Sequence, residues 1–169
     1  IEDLTPLLSK GDIVIDGGNA SYLDSIRRRQ KLAESEIYFL ASGTSGGLAG
    51  ALSGPPMSVD GDPHAFEMAK HLFESLGGNF SYFEKPGHGH LGKTIHNAIE
   101  YGILQSLAEG VALYVKHGYT QDEILDILKT WSSGSIIESR MLDCLIDVLE
   151  KSDINKLLKI KKSETSDLI

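Results

Sequence analysis

Apolar positions in the first half of the chain fall into short runs. Ile13-Val14-Ile15, Ile37 to Leu40, Met57-Ser58-Val59 and Phe80 to Phe83 are brief, rich in β-branched or aromatic residues, and bounded by turn formers. Such runs predict strands. Between them, residues 22–34 and 63–76 read as helices, and Phe66, Ala69, Leu72, Phe73 and Leu76 recur at helical spacing. Strand and helix alternate from 13 to 83, which predicts a parallel α/β layer. The fully apolar run at 13–15 is expected to be a buried strand. Residues 3–9 suit the end of a helix that Gly11 stops. From Leu91 onward only the helical period is present. One long helix is expected to reach about Lys116. A capping box, Thr120 with Glu123, opens a second through about Thr130. A third, carrying Ile136, Ile137, Leu142, Leu145, Ile146 and Leu149, runs to about Lys151. The tail from Asn155 carries Lys156, Lys159, Lys161 and Lys162 and is thin in apolar residues after Ile160; weak order is expected there. Pro86-Gly87 divides the two patterns. The fold class is therefore α/β over 1–86 followed by an all-helical domain over 87–169.

Composition narrows the function classes. The chain is 41% hydrophobic and 24% charged, as in an ordinary globular protein. Its net charge of −8 argues against nucleic acid or an anionic membrane as partner. A phosphorylated small molecule is still compatible, because it needs only a local cluster of donors. No apolar stretch approaches the roughly 18 residues of a membrane span. The lone cysteine, Cys144, cannot close an internal disulfide, which points to a reducing compartment such as the cytoplasm.

Candidate chemistry concentrates in three places. Asp16-Gly17-Gly18-Asn19 follows the first strand, at the end where open α/β sheets gather ligands. Gly43-Thr44-Ser45-Gly46-Gly47 is a second glycine-rich loop, whose Ser45 hydroxyl and bare backbone N–H groups suit a carboxylate or phosphate. The third is the helix start, where Lys93, His96, Asn97 and Glu100 sit at i, i+3, i+4 and i+7 and so share one face. Gly87, Gly89 and Gly92 match G-x-G-x-x-G, and Gly87 to Thr94 match G-x-x-x-x-G-K-T. The dinucleotide pattern needs a returning strand, and none follows. The phosphate loop needs a later apolar strand ending in Asp, and the one such run, 12–16, comes earlier. A nucleotide-binding loop over 87–94 is kept as an alternative. Arg27, Arg28 and Arg29 are expected on a solvated face. His88 and His90 are expected to be exposed in a glycine loop. No His/Cys set has zinc spacing, so no metal site is expected.

Gly89 to Tyr101, reading G-H-x-x-K-x-x-H-N-x-I-E-Y, resembles 6-phosphogluconate dehydrogenase. Further segments follow the same family in order: Asp16-Gly17-Gly18-Asn19, Ser45-Gly46-Gly47 with Gly50-Ala51 and Gly54-Pro55, and Trp131 with Gly134-Ser135-Ile136-Ile137 and Ser139. The resemblance implies an incomplete Rossmann-type parallel sheet, then the start of a helical substrate and dimerisation domain. It implies oxidative decarboxylation of 6-phosphogluconate, with NADP or NAD as hydride acceptor and a homodimer as the assembly. Lys93 would be the general base and Glu100 the general acid. Asn19, Ser45, Gly46, Gly47, His96, Asn97 and Tyr101 would bind substrate, and Asn19 would also sit near the nicotinamide. Lys93 with Asn97 is shared by the wider β-hydroxyacid dehydrogenases, so another β-hydroxyacid is an alternative substrate. The family's glycine fingerprint and its later phosphate-gripping helices have no counterpart here. The chain is therefore expected to be part of a larger protein or a truncated domain, binding NADP poorly and turning over little substrate alone.

Overall fold

The computed structural model describes residues 1–157. Of the tail from Asn155, where weak order is expected, residues 155–157 form part of a short helix, and the rest, with Lys159, Lys161 and Lys162, lies outside the described residues. The chain divides into two compact units, Ile1–Asn97 and Ala98–Ile169.

The first unit holds a four-stranded sheet in the order β1 (Ile13–Asp16), β2 (Tyr38–Thr44), β3 (Met57–Gly61), β4 (Phe80–Phe83). Helix α1 (Tyr22–Ala33) joins β1 to β2, α2 (Gly47–Ser53) joins β2 to β3, and α3 (Pro63–Ser75) joins β3 to β4. β1–β2 and β3–β4 are parallel, but β2–β3 is antiparallel, so the layer is mixed rather than wholly parallel. The connection explains the difference. β2 has seven residues and spans about 23 Å at a strand's rise. The seven-residue α2 covers only about 10 Å. The short helix leaves the chain beside the end of β2, where Met57 pairs with Thr44, and β3 runs the opposite way.

Alternation along β2 sets the two faces. Leu40 packs with Met57, Val59, Ala65, Phe66, Ala69 and Phe73 under α3. Phe39 and Ala41 pack with Leu32 of α1 and Ile37 on the other face. Each fully buried Leu or Phe stabilises the layer by roughly 1.5–3 kcal/mol. Phe66 stacks on Tyr82 at 3.9 Å, tying α3 to β4. The strand 13–15 is only half-buried and Ile15 is exposed, because β1 is an edge strand with one flank unpaired among the described residues. The expected early helix is reduced to a single 3-10 turn, Thr5–Leu7, with no buried residue to anchor more.

Helix α4 (His88–Lys116) begins in the first unit and continues into the second. The second unit adds α5 (Gln121–Trp131), α6 (Arg140–Lys151) and α7 (Ile154–Leu157). The Thr120–Glu123 capping box opens α5 as its sequence predicts. α6 starts at Arg140, capped by the Ser139 side chain, later than Ile136. Ile136 is fully exposed, so no core holds residues 136–138 in the helix. Val111, Ile124, Leu128, Leu142, Ile146, Leu149 and Ile154 form this unit's core.

Candidate active site

The start of α4 is seated on the sheet by glycines. A Cβ on Gly89 would lie 2.6 Å from the Ser58 carbonyl oxygen and 2.8 Å from that of Ala41. A Cβ on Gly43 would lie 2.4 Å from the Gly89 carbonyl oxygen and 2.7 Å from Lys93 Cβ. Helix and strands therefore touch backbone to backbone, and only glycine fits at both positions. Asp60, buried in β3, accepts hydrogen bonds from the N–H groups of Gly87 (3.2 Å) and Gly89 (2.8 Å). Two of the N–H groups a helix leaves unpaired at its start are thus taken by a carboxylate of the same chain. Burial raises the Asp60 carboxyl above its ordinary value, and the Gly89 and Gly87 N–H bonds oppose that rise. This arrangement overturns the nucleotide-loop alternative for 87–94: the glycines are packed against strands, and no open phosphate cradle is left.

His90 is also buried, contrary to the exposure expected of it. Its Nδ1 lies 2.6 Å from Ser25 Oγ on α1, and its Nε2 has no hydrogen-bond partner. It pins α4 to α1, one turn before Lys93. Of the arginine run, Arg27 is exposed as expected, whereas Arg28 and Arg29 are half-buried. Arg28 pairs with Asp16 at 2.8 Å, Arg27 pairs with Asp24, and Arg29 donates to the Glu84 carbonyl. Asp16 also accepts from the Gly18 N–H, which holds the Gly17-Gly18-Asn19 loop in place.

This seating delivers Lys93 to the loop after β2. Lys93 Nζ donates to Ser45 Oγ at 2.9 Å. His96 closes a triangle, with Nδ1 3.4 Å from Lys93 Nζ and Nε2 3.4 Å from Ser45 Oγ. With Lys93 as an ammonium, its N–H groups serve Ser45 Oγ and His96 Nδ1. His96 then carries its proton on Nε2, and the Ser45 hydroxyl hydrogen is left to point at a ligand. Gly46, at φ +102, makes the turn into α2 in a conformation that side chains rarely adopt. The three side chains line one cleft of about 190 Å³ together with Gly43, Ser58, Asn79 and Ser81.

The remaining candidates are placed as follows. Asn19 is exposed after β1, whose C-terminal end lies beside that of β2 because the two are parallel. Gly47 opens α2. Asn97 is half-buried and closes the first unit. Glu100 and Tyr101 belong to the second unit, Glu100 half-buried and Tyr101 exposed. Among the described residues, no group of three or more His, Cys, Asp or Glu could hold a metal ion.

Comparison with known proteins decides the family. Residues 1–83 match the model of the NAD binding domain of 6-phosphogluconate dehydrogenase, and residues 89–166 match the model of that enzyme's C-terminal domain. The chain belongs to the 6-phosphogluconate dehydrogenase family. A decarboxylating 6-phosphogluconate dehydrogenase of Staphylococcus aureus (strain N315) is 36% identical over 96% of this chain, which covers 36% of that relative. The Schizosaccharomyces pombe enzyme of the same name is 39% identical over 94% of the chain, covering 34% of its own length. The chain thus spans about a third of the curated relatives it matches. The solved Plasmodium falciparum 6-phosphogluconate dehydrogenase, studied with NADP+ and with 6-phosphogluconate, superimposes with a TM-score of 0.84 at 30% identity, over 96% of this chain and 38% of that one. A Salmonella typhimurium 3-hydroxyisobutyrate dehydrogenase shares the fold, with a TM-score of 0.71 at 21% identity, over 87% of this chain and 53% of that one.

In this 6-phosphogluconate dehydrogenase homologue the seating roles of Gly43, expected in a loop, of His90, expected to be exposed, and of Asp60 are not legible in the sequence. Gly43 and Thr44 belong to β2 and not to the loop expected over 43–47, and the partners of Gly43 and Asp60 are distant in sequence. The available signal for Asp60 was a charged residue within the short strand run that follows Pro55-Pro56.

Proposed function

We propose that this chain carries part of the site for oxidative decarboxylation of 6-phosphogluconate to ribulose 5-phosphate and CO₂, with NADP or NAD taking the hydride. The Lys93–Ser45–His96 triangle is the observation that carries the reading. It combines an amine, a hydroxyl and an imidazole at the loop after β2, where a hydroxy acid can meet all three. The open Gly17-Gly18-Asn19 turn fits the nicotinamide end of the cofactor, since nothing lies within 4 Å of a Cβ built on Gly17. The glycines at 87–92 are sealed on the sheet and offer its pyrophosphate no cradle. When bound, the nicotinamide accepts hydride from C3.

Lys93, neutral at that moment, takes the proton of the C3 hydroxyl as the hydride leaves. The resulting 3-keto acid loses CO₂, because the keto group accepts the electron pair of the breaking C–C bond. Glu100, protonated, then gives its proton to C1 of the enediol. Ser45, Gly46 and Gly47 hold the carboxylate, His96 and Asn97 the hydroxyls or carboxylate, and Tyr101 the phosphate. The domain division proposed is 1–86 for the dinucleotide-binding half and 87–169 for the start of the helical domain. The exposed Ile99, Ile103 and Leu113 support a homodimer through that helical part. The free, exposed Cys144 supports a cytoplasmic setting.

Titration of the chain with 6-phosphogluconate, followed by amide NMR, tests the site. Resonances of 43–47 and 93–97 shift in the wild type and stay fixed in Lys93→Met. Shifts confined to other segments refute the reading. By fluorescence, NADP alone binds weakly; micromolar affinity refutes the expectation that most cofactor contacts lie outside these residues.

A further inference from the structure

The sheet face beneath Lys93 holds a polar row that the proposed chemistry does not use. Gly43 pairs with Ser58 across β2–β3, and Ser58 pairs with Ser81 across β3–β4. Directly paired residues on neighbouring strands point to the same face. The Gly43 Cβ direction leads to Lys93 Cβ, so this is the face that α4 covers. Gly92 confirms it, since a Cβ there would lie 3.2 Å from Ser58 Oγ. Ser58 and Ser81 therefore extend as a ladder away from the Lys93 amine. Asn79, just before β4, lines the same cleft. Among the described residues, neither serine hydroxyl nor the Asn79 amide has a hydrogen-bond partner. The cleft thus has a basic end, Lys93 and His96, and a neutral wall of two hydroxyls and an amide.

We propose that Ser58, Ser81 and Asn79 are specificity-determining residues that read the hydroxyl groups of a polyhydroxylated acid. This rests on the Lys93 site proposed above. A neutral wall cannot offset a phosphate charge, but it can donate to and accept from successive hydroxyls. A simple β-hydroxyacid offers it nothing, because its one hydroxyl is taken at Lys93. Polar groups in a site favour the ligand whose hydroxyls pair them, by the net worth of each hydrogen bond gained over water. The row therefore favours a sugar acid over a short β-hydroxyacid.

The test titrates the chain with 6-phosphogluconate and with 3-hydroxypropionate, reading affinity by NMR. The variants are Ser58→Ala with Ser81→Ala, and, at exposed positions only, Ser81→Ala and Asn79→Ala singly. The serine pair is expected to weaken 6-phosphogluconate about tenfold and to leave 3-hydroxypropionate within about twofold. Each single variant shifts the sugar acid alone, by a smaller factor. Equal losses for both acids, or no loss for the sugar acid, overturn the inference. If Lys93→Met abolishes binding while all three wall variants bind normally, only this inference falls. If the wild type binds neither acid, the Lys93 site falls with it.

Discussion

Replacing Gly43 by alanine isolates the contact on which the site depends. The new Cβ would meet the Gly89 carbonyl oxygen at 2.4 Å, Lys93 Cβ at 2.7 Å and the Gly89 carbonyl carbon at 3.1 Å. Two of these neighbours are backbone atoms and cannot rotate away. Relief to an ordinary 3.4 Å requires α4 to retreat by about 1 Å. Alanine's backbone preference over glycine would by itself stabilise a strand by roughly 0.5–1 kcal/mol. Overpacking a close contact costs about 1–3 kcal/mol, so the net sign is destabilising. The retreat also strains the 2.8 Å bond from Gly89 to Asp60 and draws Lys93 from its 2.9 Å contact with Ser45. A misplacement of about 1 Å can cost on the order of 100-fold in a reaction. Urea denaturation of wild type, Gly43→Ala and the control Gly17→Ala measures the first effect. Gly17 has open space around its Cβ direction, so its variant should unfold with the wild type. Amide shifts at Lys93 and Ser45 report the second effect. A Gly43→Ala protein as stable as the control, with undisturbed shifts at both residues, would refute the packing argument.

Asp60 ties stability to pH. Its folded carboxyl titrates above the ordinary 3.8, so the folded state holds that proton more tightly than the unfolded chain. Its contribution is largest below 3.8 and is lost as pH rises through the raised value. The stability of wild type relative to Asp60→Asn should therefore grow on acidification from neutrality, and a constant difference would contradict this. Ser25→Ala strands both ring nitrogens of buried His90 and should cost about 1–3 kcal/mol in thermal unfolding, whereas exposed Ser106→Ala should cost little. Gly102 and Gly110 lie inside α4 with open space around them, and alanine at each should stabilise by about 1 kcal/mol in the same assay. Thr120→Ala removes the capping box of α5 and should lower stability by about 1 kcal/mol.

What the sequence shows and what it hides divide along the range of the interactions. The strand cores at 37–40, 57–59 and 80–83 and the Thr120 cap are legible because short apolar runs or a three-residue spacing encode them locally, whereas the continuation of β2 through Gly43-Thr44, read as loop, is not. The antiparallel β2–β3 pair is less legible, since it depends on how short α2 is, and seven residues of Gly, Leu, Ala and Ser give no sharp boundaries. Lys93, Ser45 and His96 could be named from motif resemblance, yet the two segments are 48 residues apart, and only the fold brings Nζ to 2.9 Å from Oγ. The glycines at 87, 89 and 92 show the limit most clearly. Their spacing satisfies two phosphate-binding patterns, because close backbone approach demands glycine whether the neighbour is a phosphate or a strand. What separates the cases is the destination of the N–H groups at 87 and 89. Asp60, 27 and 29 residues earlier in the chain, has taken both. An anion in that place would meet a carboxylate already hydrogen-bonded to the donors it needs, so the pattern builds a seat for Lys93 and not a nucleotide site.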